Sequence, residues 1–253
     1  MRALVLAVAL SSIPAVAVPR DFPFTWTSRT SAAGQNSLEA WFTPRLVRTD
    51  DFLQLDTRVV WTYGVTRTLE SQLSLDTDFQ RTDRSEGLDA RVTSLWRWTT
   101  WREGTPFAVG GLGRVSLGPD QFEAEARLFT DLHLARVVIA LNISASRALF
   151  WNNREGIDTR LEESFAVKYT VSPAVTVGVE ARAKSAWKLR EYQGTAIYAG
   201  PAMTFTHPKF WLTIGGYAQV AADRANADRA LEEPNELRDN ERYVFRVAFG
   251  FDT

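Results

Sequence analysis

The feature that most constrains this chain is a strict alternation of apolar and polar residues, repeated in long runs from residue 37 to the last residues. In an extended chain successive side chains point to opposite faces, so a period of two marks a strand with one apolar and one polar face. Leu69 to Phe79 shows it plainly. Leu69, Ser71, Leu73, Leu75, Thr77 and Phe79 share one face, and Glu70, Gln72, Ser74, Asp76 and Asp78 share the other. Leu53 to Tyr63 and Leu88 to Trp98 read the same way. No helical period competes over comparable windows.

Twelve such segments follow one another: Ser37–Pro44, Leu53–Tyr63, Leu69–Phe79, Leu88–Trp98, Phe107–Leu117, Phe122–Leu132, Arg136–Phe150, Thr159–Tyr169, Val175–Trp187, Thr195–Thr206, Phe210–Ala221 and Tyr243–Phe251. Most match the 9–11 residues of a tilted membrane strand and exceed the 5–6 of an ordinary sheet. The expected fold is therefore all-β, an antiparallel up-and-down transmembrane β-barrel of about twelve strands spanning residues 37–253. A soluble barrel is the alternative, and it would turn the apolar face inward.

Connections also alternate. Short turns are expected at Gly64–Thr68, Arg102–Pro106, His133–Ala135, Thr170–Ala174 and His207–Lys209. Longer polar loops are expected at Gln80–Gly87, Trp151–Asp158, Lys188–Gly194 and Ala222–Arg242, with a short link at Gly118–Gln121. Bacterial outer-membrane barrels keep short turns in the periplasm and longer loops outside. That assigns the chain to a bacterial outer membrane with both termini periplasmic. Aromatic residues near strand ends suit two interfacial girdles. Trp61, Tyr63, Trp96, Trp98, Phe107, Tyr169, Trp211 and Phe249 form the periplasmic set, and Phe79, Phe150, Trp187, Tyr217 and Tyr243 the external one.

The N-terminus fits export. Arg2, the apolar run Ala3 to Leu10 and Ala15-Val16-Ala17 make the three parts of a signal peptide, with cleavage expected after Ala17. Residues 18–36 are read as a periplasmic lead-in. Phe22, Phe24 and Trp26 suggest a short extended piece, which an extra strand or a segment tucked into the lumen would also use.

Two short motifs carry a family resemblance. Gly34 to Trp41 resembles the opening strand of porin-like and transporter-like outer-membrane barrels, including the MetA-pathway phenol-degradation type. Tyr63-Gly64-Val65-Thr66-Arg67-Thr68-Leu69-Glu70 is similar to a recurring hairpin of those proteins. Tyr243 to Phe251 resembles the aromatic C-terminal signal read by the outer-membrane assembly machinery, here followed by Asp252 and Thr253. The resemblance implies a barrel with a transport-like role, and partners limited to outer-membrane lipids, that machinery and a small solute.

If lipid meets the apolar face, the other face lines a lumen. Its acidic members are Asp56, Glu70, Asp76, Asp78, Asp89, Glu123, Glu125, Asp131, Glu162 and Glu180. Its basic members are Arg58, Arg91, Arg97, Arg114, Arg127, Arg160, Lys168, Arg182, Lys184 and Arg246. All but Asp89, Asp131, Arg160 and Lys168 form the candidate lumen-lining set. The balance of sign argues against selection of one ionic charge and for a narrow, ion-paired interior. A simple register sets Glu70 opposite Arg97, Asp76 opposite Arg91, and Arg114 opposite Glu123 or Glu125. Such pairs contribute roughly 0.2–1 kcal/mol each. The same ladder could guide a small polar or zwitterionic solute, or simply close a structural barrel that presents loops.

Other functions find little support. A formal net charge of −1 gives no basic excess for nucleic acid. With no cysteine there is no disulfide, thiolate metal site or cysteine nucleophile. His133 and His207 are the only histidines, both at expected turns and away from any neighbouring serine, so serine-hydrolase chemistry has no evident base. Asp76 and Asp78 could mimic an aspartyl pair but read as ladder members. No cofactor or metal is expected.

Overall fold

The structure, a computed structural model, describes residues 20–46, 53–82, 85–151, 157–224 and 241–252. The expected signal peptide and most of the expected loop at 222–242 lie outside the described residues. Twelve strands are present: β1 (Asn36–Leu46), β2 (Leu53–Thr66), β3 (Leu69–Thr82), β4 (Ser85–Thr99), β5 (Phe107–Leu117), β6 (Gln121–Leu134), β7 (Val137–Phe150), β8 (Ile157–Ser172), β9 (Val175–Lys188), β10 (Glu191–His207), β11 (Phe210–Arg224) and β12 (Tyr243–Asp252). Each pairs antiparallel with its neighbours in sequence. β1 also pairs with β12, Leu38 opposite Phe251, which closes the barrel and leaves no sheet edge.

The faces fall as the alternation requires for a membrane barrel. Leu75, Leu128 and Val220 on the outer face are 52%, 62% and 62% exposed, whereas Glu70 and Glu180 on the inner face are 1% exposed. A soluble barrel would reverse these values, so that alternative is excluded. Most strands have 14 residues or more. At about 3.4 Å per residue and a tilt of about 40°, 14 residues rise roughly 36 Å, enough to cross an outer membrane.

Two loops are shorter than expected. Pairing of β3 with β4 continues through Gln80–Gly87 and Arg81–Glu86 to Thr82–Ser85, so no long loop spans 80–87. β9 and β10 pair up to Lys188–Glu191 across a two-residue turn at Leu189 and Arg190. Both turn residues have positive φ, 51° and 74°. The residues there are polar and charged, as loops are, yet strand ends that project past a membrane are polar too. The end of the barrel bearing Asn36 and Asp252 is called the turn end below, and the opposite end the loop end.

Three aromatic assignments also change. Trp211 and Tyr217 are 1% and 2% exposed and point inward, and Phe150 lines the interior cavity. Parity within the strands explains this. Phe210, Leu212 and Ile214 take the lipid face of β11, which leaves Trp211, Thr213 and Tyr217 inside. Trp61, Tyr63, Trp96, Trp98, Phe107, Tyr169 and Phe249 do face outward.

Candidate functional site in the barrel lumen

Residues 20–35 run inside the barrel rather than ahead of it. Of the three placements open to this segment, the lumen is the one found. The segment leaves β1 at the turn end, where Gly34 takes φ of +80° and its amide donates to the Gly64 carbonyl at 2.7 Å. The chain crosses β2 so closely here that a Cβ on Gly64 would lie 2.0 Å from the Ala32 carbonyl oxygen. Only glycine fits such an approach. The segment then rises past Asp131 on β6 and Asn142 on β7 to Phe24, which meets Tyr217 midway along β11. From there it turns back, and the Arg20 carbonyl accepts from Thr204 and Thr213, three residues from the turn ends of β10 and β11.

Three aromatic side chains seat it. Phe22 packs on Ala140 and Ala166, both fully buried. Phe24 sits among Ala196, Tyr198, Tyr217 and Val244, edge-on to Tyr217 at 5.2 Å. The guanidinium groups of Arg182 and Arg246 each lie 3.7 Å from its ring centroid. Trp26 joins two apolar clusters, Trp41–Val60–Trp211–Ala248 and Leu95–Leu112–Phe129. Arg20 lies 4.0 Å over its ring.

Between these anchors the wall binds main chain. Carboxylates take the amides: Glu180 from Thr25, Asp131 from Ser28 at 3.1 Å, and Glu70 from Ser31 at 2.8 Å. Arginines donate to carbonyls: Arg246 to Pro23 at 2.8 Å, Arg127 to Phe24 at 3.3 Å, and Arg97 to Arg29 at 2.7 Å. Asn142 does both for Trp26, accepting its N–H at 2.8 Å and donating to its carbonyl at 2.9 Å. Asp21 pairs with Lys168, and Arg20 with Glu39 at 3.1 Å. A gap of 40 Å³ remains beside the segment, room for about one water. The turn-end half of the lumen is thereby filled.

Above this floor a cavity of 630 Å³ extends toward the loop end. Thirteen of the sixteen candidate residues line it: Asp56, Arg58, Asp76, Asp78, Arg91, Arg114, Glu123, Glu125, Arg127, Glu162, Arg182, Lys184 and Arg246. Glu70, Arg97 and Glu180 lie lower, against the plug. Arg45 on β1, absent from the candidate set, also lines the cavity and bridges Asp56 at 2.5 Å and Glu241 at 3.2 Å. Burial pushes the Glu241 carboxyl up, but Lys184 and Arg45 outweigh it and hold the group below the usual range.

The expected registers appear, with one exchange of partners. Glu70 stands opposite Arg97 and bonds it at 2.7 Å. Arg114 stands opposite Glu125 and reaches both Glu123 at 2.5 Å and Glu125 at 2.9 Å. Asp76 stands opposite Arg91, but its ion pair is with Arg58 at 2.8 Å, and Arg91 turns to Glu123. Asp56 and Asp78 face each other across β2 and β3, joined through the amide of Gln54.

Charge is segregated around the cavity. On β9 to β12, β1 and β2 it is lined by five cations, Arg45, Arg58, Arg182, Lys184 and Arg246, against one carboxylate, Asp56. On β3 to β8 seven carboxylates face it, Asp76, Asp78, Asp89, Glu123, Glu125, Asp158 and Glu162, against four arginines. A field therefore crosses the lumen, with a positive and a negative wall. Arg246 has no carboxylate within 4.0 Å among the described residues; its guanidinium bonds Thr43 and the Pro23 carbonyl.

Among the described residues no serine and histidine are paired as nucleophile and base. His133 contacts Asp131 at 2.5 Å and Ser28 donates to the same carboxylate at 2.7 Å, which puts the carboxylate between serine and histidine instead of the imidazole. A serine nucleophile needs the imidazole as its partner. Among the described residues no group of three or more metal-ligating side chains converges.

The comparisons with known proteins agree on the fold. The COG4313 outer membrane channel from Pseudomonas putida F1 superposes with a TM-score of 0.65 at 10% identity, covering 93% of this chain and 99% of that one. The NanC porin gives 0.58 at 11% identity, covering 85% and 98%. The β domain of the Bordetella autotransporter BrkA gives 0.59 at 9% identity, covering 87% and 100%. The chain thus has the fold of a bacterial outer-membrane β-barrel, and the resemblance to porin-like barrels holds at the level of the fold. A family model described as a family of unknown function (DUF6662) matches residues 138–253, from β7 onward. No curated protein matches the sequence.

Proposed function

We propose that this barrel is an outer-membrane channel for small zwitterionic or polar solutes, closed in this conformation by its own residues 20–35. The observation that carries the reading is the 630 Å³ cavity, walled by opposite charges and ending on the plug. Opposed walls favour a solute that carries both signs, because it can turn its dipole along the field, while a simple ion gains at one wall and loses at the other. In this reading the turn end is periplasmic, residues 1–17 are a removed signal peptide, and the new N-terminus lies near Arg20. Withdrawal of the plug through the turn end opens the pore. That solved neighbours are a channel and a porin supports the reading by analogy.

The hydroxyl oxygens of Thr25 and Ser164 lie 3.0 Å apart, and the chain has no cysteine of its own. A Thr25→Cys/Ser164→Cys pair would therefore form one defined disulfide between plug and wall. In planar bilayers the oxidised pair should show no openings, and thiol reductant should return it to the behaviour of the wild type, with a higher open probability. Wild-type conductance unaffected by the lock would sink the plugged-channel reading. The extensive main-chain grip on the plug favours a second reading, a permanently closed structural barrel. Silence of the reduced pair, of the wild type and of plug-weakened variants alike would support it.

A further inference from the structure

We infer that the turn-end half of the lumen is a binding site for a peptide segment, and that residues 20–31 are its resident, exchangeable ligand. The inference rests on the plugged-channel reading and adds the chemistry of what the emptied lumen recognises.

Two observations carry it. The wall binds the main chain of the segment through its side chains. Glu180, Asp131 and Glu70 accept amides, Arg246 and Arg97 donate to carbonyls, and Asn142 serves the N–H and the carbonyl of one residue. These groups bind main chain and are indifferent to side-chain identity. Specificity comes separately, from pockets spaced for alternate side chains. Phe22 enters a small pocket floored by Ala140 and Ala166. Phe24 enters the slot between Arg182 and Arg246, and Trp26 the cleft between two apolar clusters. The site therefore suits a peptide that bends at its second aromatic residue and carries aromatic residues at three alternate positions.

The topology allows exchange. Among the described residues both ends of the segment, Arg20 and Gly34, lie at the turn end of the barrel, and its covalent link to the wall is the stem at Gly34 and Gln35. It can withdraw without threading past a strand. Departure uncovers carboxylates and arginines already in place to receive another main chain.

The experiment uses the full-length chain with Phe22→Ala, Phe24→Ala and Trp26→Ala together, which leaves the wall intact and strips the resident ligand of its anchors. Folding is checked by heat-modifiable migration, and a variant lacking residues 20–33 serves as a second unplugged background. A synthetic peptide of residues 20–33 is added from the turn-end side in planar bilayers. It should reduce conductance in a saturable way. The same peptide with its three aromatics changed to alanine should need at least about tenfold more, the effect of losing buried aromatic anchors. Full conductance at every peptide concentration, in backgrounds that both conduct, would overturn the peptide site and leave the plugged channel standing. Equal block by the alanine peptide would overturn the claim of side-chain pockets. If neither background conducts, the channel reading itself fails and this inference with it.

Discussion

Arg97 joins parts of the molecule that share no sequence neighbourhood. Its guanidinium bonds Glu70 on the adjacent strand and the Arg29 carbonyl of the plug, both at 2.7 Å, and lies 5.0 Å from the Trp26 ring. Both ion-pair partners are almost wholly buried, with side chains 5% and 2% exposed. Removing one partner leaves the other charge without compensation, which costs about 3–5 kcal/mol, whereas replacing both costs much less. Arg97→Gln should therefore lower the urea midpoint of the detergent-solubilised barrel strongly, and Glu70→Gln/Arg97→Gln should recover part of the loss. Equal midpoints for the single and double variants would show that Glu70 finds compensation elsewhere. The pairing itself was legible in the sequence, because register follows from alternation and a short hairpin. The bond to Arg29 was not, since nothing local relates residue 29 to residue 97.

At the scale of elements, the strands follow local pattern closely and their ends do not. β3 and β4 extend past the expected loop at 80–87 because strand ends beyond the membrane lose their apolar face and resemble loops in composition. The β9–β10 connection shows the same effect more sharply. Leu189 and Arg190 both occupy the left-handed region that a two-residue turn of this hand demands. Neither residue type suits it, at a cost of roughly 1–2 kcal/mol per residue. Leu189→Asn with Arg190→Gly should raise barrel stability by about 1 kcal/mol or more in the same urea titration. A lower midpoint would mean that one of the two side chains makes a compensating contact. Trp211, Tyr217 and Phe150 give the converse lesson. Nearness to a strand end suggested a girdle, but parity with Leu212 and Ile214 already assigns Trp211 and Tyr217 to the interior. Period, not composition, decides which face such a ring takes.

For the whole molecule, the balance of charge sets what an open pore would do. Nine cations and eight carboxylates line the cavity, so the unplugged channel should discriminate weakly between potassium and chloride. The reversal potential of the alanine-substituted plug variant in a salt gradient should lie near zero. Arg182→Glu with Arg246→Glu turns the positive wall toward the negative one, and the reversal potential should then move to cation selectivity. An unplugged channel already strongly selective for either ion would contradict the balanced lumen. Removing both arginines should also loosen the plug, since they flank Phe24, and open probability should rise in the otherwise unaltered chain.

Strand number, strand faces and the Glu70–Arg97 register were determined by the sequence alone, while the choice of Glu125 over Glu123 opposite Arg114 was not. The physical reason is that each depends on residues two apart or on strands joined by a short connection, so the information is local. What only the tertiary structure decided is the fate of Phe22, Phe24 and Trp26. Three alternating aromatics read equally as a tail, an edge strand or a plug. Their partners, Ala140, Ala166, Tyr217 and Asn142, lie more than a hundred residues along the chain and come together only when β1 closes on β12. Closure creates a narrow turn-end lumen whose wall carries hydrogen-bond donors and acceptors for a main chain. A segment tethered at its rim satisfies them, which turns a barrel legible from its alternation into one that carries its own ligand.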